Sequence, residues 1–219
     1  MEHTRIYFIR HGETQYNVEE RFVGTVDVPL NSRGMQQAEY ARQALKGIEF
    51  DSIYSSPLKR AIQTAKIVMQ GRKLPILHAE GLREINCGDW EGKTKEQTEA
   101  LWKEEIYNWG HAPHLLRIPN GETFQKASNR AFECFRKIVE KYTGKTILMS
   151  SHMIIIQLLL LRLAEIPIRQ FWEMPMLDNA SISAATVDSN KGKAEITMWG
   201  NTLHIPAMER NNIIRVAGL

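Results

Sequence analysis

The run Ile6-Tyr7-Phe8-Ile9 is apolar without a break and stops abruptly at Arg10-His11-Gly12. A short run with no polar member reads as a strand covered on both faces, which is the condition of a parallel sheet lying between helices. The same unit recurs along the chain. Asp51-Ser52-Ile53-Tyr54 leads into Ser55-Ser56-Pro57 and a helical stretch, and Thr146 to Met149 leads into Ser150-Ser151-His152 and another. Each unit is a buried strand, a polar end and a helix.

The helices between are marked by spacing and by their ends. Asn31 or Ser32 opens one with Met35, Ala38, Ala41 and Leu45 as its apolar face and Gly47 as its C-cap. Ser56, with Pro57 at the first helical position, starts a second; Leu58, Ala61, Ile62, Ala65, Val68 and Met69 follow it, and Gly71 stops it. Residues Gly81 to Trp90 read as irregular, Thr94 to Trp109 as one polar helix, and His111 to Gly121, with Pro113 and Pro119, as a loop. Phe124, Ala127, Ala131, Phe135, Ile138 and Tyr142 step by threes and fours and give the strongest helix signal, closed by Gly144. Ser151 onward reads as an apolar helix. Asn179–Val187 and Ala194–Trp199 read as strands of a hairpin around Asp188-Ser189-Asn190-Lys191-Gly192. This order predicts an α/β chain of three α/β/α layers with a mostly parallel sheet, in a single domain over residues 1–219.

Composition closes several other routes. With 43% hydrophobic and 24% charged residues, collagen, coiled-coil and disordered classes are excluded. The net charge is only +3 and no basic run is long enough to track a phosphate backbone, so nucleic acid is not the expected partner. A small anionic substrate needs only a local cluster of charge. Cys87 and Cys134 belong to no CxxC unit, which suggests neither a zinc site nor a disulfide framework and fits a reducing cytoplasm. The N-terminus runs directly into the first strand and has no signal-peptide pattern. Met153 to Leu161, broken by Gln157, is too short for a membrane span of about 20 residues.

Ligands of parallel sheets bind beyond the carboxyl ends of the strands. Those ends here hold Arg10-His11-Gly12, Ser55-Ser56 with Arg60 one turn later, and Ser150-Ser151-His152. If these strands are neighbours, two arginines and two histidines converge on one pocket, with helix N-termini pointing at the same place. Arginine forks pair with phosphate oxygens, and a glycine at position 12 would let backbone approach a ligand. The set describes a phosphate site that uses no metal.

Arg10-His11-Gly12-Glu13-Thr14 resembles the signature of the histidine phosphatase superfamily, also called phosphoglycerate mutase-like. The resemblance continues through Asn17, Phe22 to Leu30, Gly34, Gln37-Ala38, Tyr54 to Ala65, Leu82 to Gly92 and Ser151-His152. It implies that His11 is the nucleophile and carries a phosphohistidine. It implies that Arg10, Arg60 and His152 hold the phosphoryl oxygens, with Asn17 as a further donor, and that Glu84 is the proton donor to the leaving group. Gly24, Thr25 and Glu122 become candidates for substrate contact. A small helical cap insertion over about residues 91–122 is implied, with Trp102, Tyr107 and Trp109 as its packing residues. Neither a metal nor an organic cofactor is called for. The expected partner is a small phosphorylated metabolite, and the expected state a monomer or homodimer.

The chain departs from the family pattern at Met153-Ile154, where relatives often carry glycines, and at Val23, where many carry a polar residue. Glu80, Asp89 and Glu91 lie near Glu84 but read as solvated loop carboxylates, and Lys59 as a solvated first-turn lysine. His111 and His114 form HxxH without a carboxylate or cysteine partner, so they do not read as a metal site. Three functions fit these residues. The first is a phosphatase acting on a small phosphomonoester. The second is a cofactor-dependent phosphoglycerate mutase; the Ile85-Asn86-Cys87-Gly88 that follows Glu84 resembles the phosphatase branch instead. The third is an idle module that only binds phosphorylated ligands.

Overall fold

A computed structural model of the chain describes residues 3–188 and 193–210. Its six-stranded sheet has the order β3-β2-β4-β1-β5-β6, with β1 at His3–Arg10, β2 at Ser52–Ser55, β3 at Ile76–His78, β4 at Thr146–Ser151, β5 at Ile182–Asp188 and β6 at Lys193–Asn201. The first four strands are mutually parallel where they pair, and β5 and β6 add an antiparallel edge. The expected three-layer, mostly parallel α/β/α architecture is therefore present. The hairpin loop expected after Asp188 falls on residues 189–192, outside the described residues.

Alternation along each strand builds the layers. Ile6, Phe8, Tyr54, Ile147 and Met149 face a core completed by α6 (Phe124–Lys141) and α7 (Met153–Leu163). Their neighbours Ile9, Ile53 and Leu148 face a second core completed by Ala41 and Leu45, at and just beyond α2 (Ser32–Ala44), and by Val68 and Met69, at the end of α3 (Lys59–Val68). Both faces are buried, which explains the unbroken apolar runs. The apolar stripe of α6 lies inward as its spacing predicts, with Thr123 as N-cap accepting from the Lys126 N–H. Among the described residues, no helix is long and apolar enough to cross a membrane.

Several expectations need correction. The stretch read as one helix from Thr94 to Trp109 is two, α4 (Lys95–Leu101) and α5 (Lys103–His111). Trp102 leaves the helical region, with φ −141° and ψ 63°. Its indole packs against the core and its backbone turn lets Ile106 and Trp109 face inward as well. The helix also continues to His111, where a loop was expected. Gly47 is not the C-cap of α2; Leu45 is. Met35 is 47% exposed and not part of the apolar face. Ser56-Pro57 does not open α3, whose N-cap is Leu58; Ser56 Oγ instead accepts from the Leu58 N–H at 3.3 Å. The short β3 and the one-turn α1 (Gln15–Val18), capped reciprocally by Thr14 and Asn17, carry too few residues to show a period.

Gly12 has a different reason from the one its sequence position suggested. A Cβ there would sit 2.2 Å from the Gly34 carbonyl oxygen, and one on Gly34 would sit 2.1 Å from the Glu13 carbonyl oxygen. The two glycines let the end of β1 and the first turn of α2 cross backbone to backbone. The room is taken by the helix and not by a ligand.

Candidate active site

The sheet order places β4 between β1 and β2, so their carboxyl ends lie side by side. Arg10 pairs with Ser151, and Ser55 with Ser150. One residue later the chain still holds this register: His11 N donates to Ser151 O at 3.0 Å and Ser56 N to Ser150 O at 2.9 Å. The strand directions and the crossovers on opposite faces make this the switch point of the sheet. His11, Ser56 and His152 are thereby brought together from parts of the chain far apart in sequence. The rings of His11 and His152 lie 5.2 Å apart at a 60° tilt.

His11 is buried, and its Nδ1 is 2.7 Å from the carbonyl oxygen of Gly12. A carbonyl only accepts, so Nδ1 carries the proton and Nε2 keeps its lone pair. Burial holds the imidazole well below its ordinary pKa, and the cations Arg60 and Arg10 push in the same direction. The ring is a neutral base with one nitrogen tied and one bare. Its own carbonyl accepts from Ala180 N and Asn179 Nδ2, both at 3.1 Å, which fixes the backbone under the ring.

Arg60 is fully buried at the start of α3. Its Nε donates to His152 Nδ1 at 3.2 Å, and its two terminal nitrogens donate to Val26 O and Gly24 O at 2.7 Å each. Arg10 donates from Nη1 to Leu177 O at 2.5 Å, while its buried Nε has no partner. An orphaned guanidinium N–H is costly unless an acceptor reaches it. Burial lowers both arginines to about 10, against the pull of Glu84, so both remain cations near neutrality. His152 is fully buried between Arg60 and Ser56, with Nε2 2.7 Å from Ser56 Oγ.

Glu84 lies among these cations, 8% exposed. One oxygen accepts from Ile85 N at 2.9 Å and the other from Ile154 N at 3.4 Å, in the first turn of α7. Burial raises its pKa in spite of those donors and of Arg60 and Arg10. The Met153-Ile154 departure therefore leaves a backbone N–H facing the site, while the Ile154 side chain joins the core. Asn17 presents its amide oxygen to Thr14 N and Oγ1, both at 3.0 Å, in the cap of α1.

The three candidates for substrate contact have protein partners. Gly24 has φ +51°, and a Cβ there would come 2.3 Å from Glu91 Oε1. The Thr25 N–H and hydroxyl both donate to that same oxygen, at 2.6 and 2.8 Å. Glu122 is paired with Arg130 at 2.8 Å and accepts from Asn86 N at 3.0 Å. Arg130 also donates to Gly81 O and Arg83 O, both at 2.9 Å, and to Glu84 O at 3.4 Å, so this pair grips the segment that carries Glu84. The sequence does not mark Glu91, Asn179 and Arg130 as parts of the site, and it marks Ser56 only as a polar residue at a strand end. Trp109 packs with Phe22, Trp90, Phe124 and Trp172, whereas Tyr107 is exposed and stacks on His111.

A base with one free nitrogen, two buried cations and a carboxyl of raised pKa are the groups that displacement at an anionic phosphorus requires. The sequence matches the histidine phosphatase superfamily (branch 1) over residues 6–202, and the chain belongs to that family. It is 35% identical over 176 residues to the adenosylcobalamin/alpha-ribazole phosphatase of Escherichia coli strain K12, covering 77% of this chain and 83% of that protein. Phosphoserine phosphatase 1 of Hydrogenobacter thermophilus is 27% identical over 187 residues, covering 85% of this chain and 88% of that one. Among solved structures, Bacillus stearothermophilus YhfR superposes with a TM-score of 0.89 at 35% identity, over 93% of this chain and all (100%) of that one. The chain is thus a phosphoric monoester hydrolase of the histidine phosphatase type.

Proposed function

We propose that the enzyme hydrolyses small phosphorylated metabolites in two displacements at the site of His11. The observation that carries this reading is the bare Nε2 of His11, its other nitrogen tied to Gly12 O, in a cradle of Arg10, Arg60 and His152. In the first step Nε2 bonds to phosphorus as the phosphorus–oxygen bond to the alcohol breaks. Glu84 gives its proton to the departing oxygen. In the second step a water oxygen bonds to phosphorus, Glu84 takes the proton of that water, and the phosphorus–nitrogen bond breaks to release inorganic phosphate. Charge gathers on the phosphoryl oxygens in both transition states, where the arginines and His152 receive it. The raised pKa of Glu84 supports the acid role, since a carboxyl must still hold its proton to deliver it.

Asn17 is assigned as a neutral donor through its amide NH2, because its oxygen is occupied by Thr14. Gly24 and Thr25 serve by fixing the loop that Arg60 and Glu91 hold between them, and Glu122 by fixing the Glu84 segment through Arg130. Residues of about 91–122 select the alcohol. Nothing in the geometry favours the mutase alternative.

The test is Glu84→Gln against esters of graded leaving groups. Para-nitrophenyl phosphate, whose alcohol leaves readily without a proton, should lose little in its chemical step. Simple alkyl phosphates should slow by about 10²-fold or more. Equal slowing across the series would refute the assigned role of Glu84.

A further inference from the structure

We infer that Ser56 is a positioning residue for His152, holding its Nε2–H so that the ring takes a second proton at Nδ1 when a phosphate dianion enters. Nδ1 then changes from acceptor to donor. The inference rests on the anion site proposed above and concerns how that site answers its ligand.

The hydrogen bonds fix the starting state. An arginine Nε always carries hydrogen, so the 3.2 Å contact from Arg60 makes His152 Nδ1 an acceptor. The ring proton is therefore on Nε2, which donates to Ser56 Oγ at 2.7 Å. Ser56 is fully buried, its backbone held to Ser150 O at 2.9 Å, and its Oγ also accepts from Leu58 N at 3.3 Å. Both lone pairs of that hydroxyl are occupied. It can hold the ring edge only by accepting, and it continues to do so whether the ring is neutral or charged.

An anion alters the other edge. A guanidinium N–H prefers a negative oxygen to an imidazole nitrogen, so a phosphoryl oxygen beside Arg60 removes the donor that Nδ1 has in the free protein. Nδ1 would then meet that oxygen lone pair to lone pair. Protonation removes the conflict and adds a charged donor. The proton comes from solvent when the dianion binds, or from the ligand itself when the monoanion binds, leaving the dianion on the imidazolium. The groups facing His152 agree with this sequence. Arg60 from α3, His11 and Arg10 from the end of β1 and Arg130 from α6 all oppose a second proton in the free protein, as does burial. The carboxyl group of Glu84 is held on the N–H of Ile154 in the turn that follows. Two negative charges arriving amid these cations reverse the balance.

Two-bond proton–nitrogen correlation spectra of the protein labelled with nitrogen-15 in histidine read the ring states directly; a His152→Asn spectrum assigns the signals. Sulfate serves as probe because it remains a dianion near neutrality. At a pH above the ordinary histidine value of 6.5, the free parent should show one bare and one protonated nitrogen in His152, and the sulfate-bound parent two protonated nitrogens. Ser56→Ala should keep the bare nitrogen with sulfate present and lose about tenfold or more in kcat/KM. Ser56→Thr should restore both. The signature of His11, with its protonated Nδ1, reports that each variant is folded. A neutral His152 in the sulfate-bound parent, or a second proton gained in Ser56→Ala as in the parent, would overturn the inference. Were the parent still to hydrolyse esters through His11, the proposed function would stand without it. A parent that binds no sulfate and hydrolyses no ester would overturn both.

Discussion

Alanine at position 11 should reduce phosphomonoester hydrolysis by at least about 10⁴-fold while leaving the fold intact. The size of the effect follows from what else the site contains. His11 Nε2 is held bare by the Nδ1 contact to Gly12 O, and burial among cations keeps the ring uncharged. The second imidazole cannot substitute, because both nitrogens of His152 are engaged, by Arg60 and by Ser56. Without His11 the proposed cradle of Arg10 and Arg60 is still there, so affinity for inorganic phosphate should fall far less than turnover. A binding module without catalysis would lose nothing measurable in turnover, having none. Steady-state hydrolysis of para-nitrophenyl phosphate beside phosphate inhibition separates these cases. Retained turnover in His11→Ala would remove the nucleophile from this account.

Arg60→Ala should cost about 10³-fold in kcat/KM, near the upper end for loss of one oxyanion donor. The proposed anion contact is only one task of Arg60. It holds the loop carbonyls of Gly24 and Val26, and it fixes the ring of His152. Removing it leaves those carbonyls and Nδ1 without their donor in a buried place, so stability should fall by about 2–4 kcal/mol as well. Arg60→Lys should rescue little, since an ammonium cannot span three acceptors with a planar fork. Guanidinium added to Arg60→Ala offers a check, because chemical rescue would return activity without restoring the chain. Urea unfolding measures the stability loss separately from the kinetic one. An alanine variant that loses affinity alone, with kcat unchanged, would limit Arg60 to ground-state binding.

Much of this site is legible in the sequence, for a physical reason. Strands buried on both faces advertise themselves as unbroken apolar runs, and the polar residues that end them must then lie at the sheet's carboxyl edge. His11, Arg60 and His152 were legible on that ground, and Glu84 through its resemblance to the family's acid motif. What escaped notice depends on partners distant in sequence. Arg130 is one of several charged residues on α6, and nothing local separates it from solvated neighbours such as Lys137. Glu91 looked like a loop carboxylate and is the anchor of Thr25. The sequence marks Gly12 as a position that needs glycine, yet the atom that demands it belongs to Gly34. The break at Trp102 has no glycine or proline to announce it; what marks it in the structure is an indole packed against the core.

The proposed mechanism requires a phosphoryl group on Nε2 of His11 between the two displacements. Rapid mixing with a phosphorus-labelled ester, quenched in alkali where phosphohistidine survives, followed by peptide mapping, tests it directly. Label is expected on the peptide holding residue 11, stable in base and lost in acid, forming and decaying fast enough to carry turnover. Label on a different residue, or full turnover with none on His11, would contradict it.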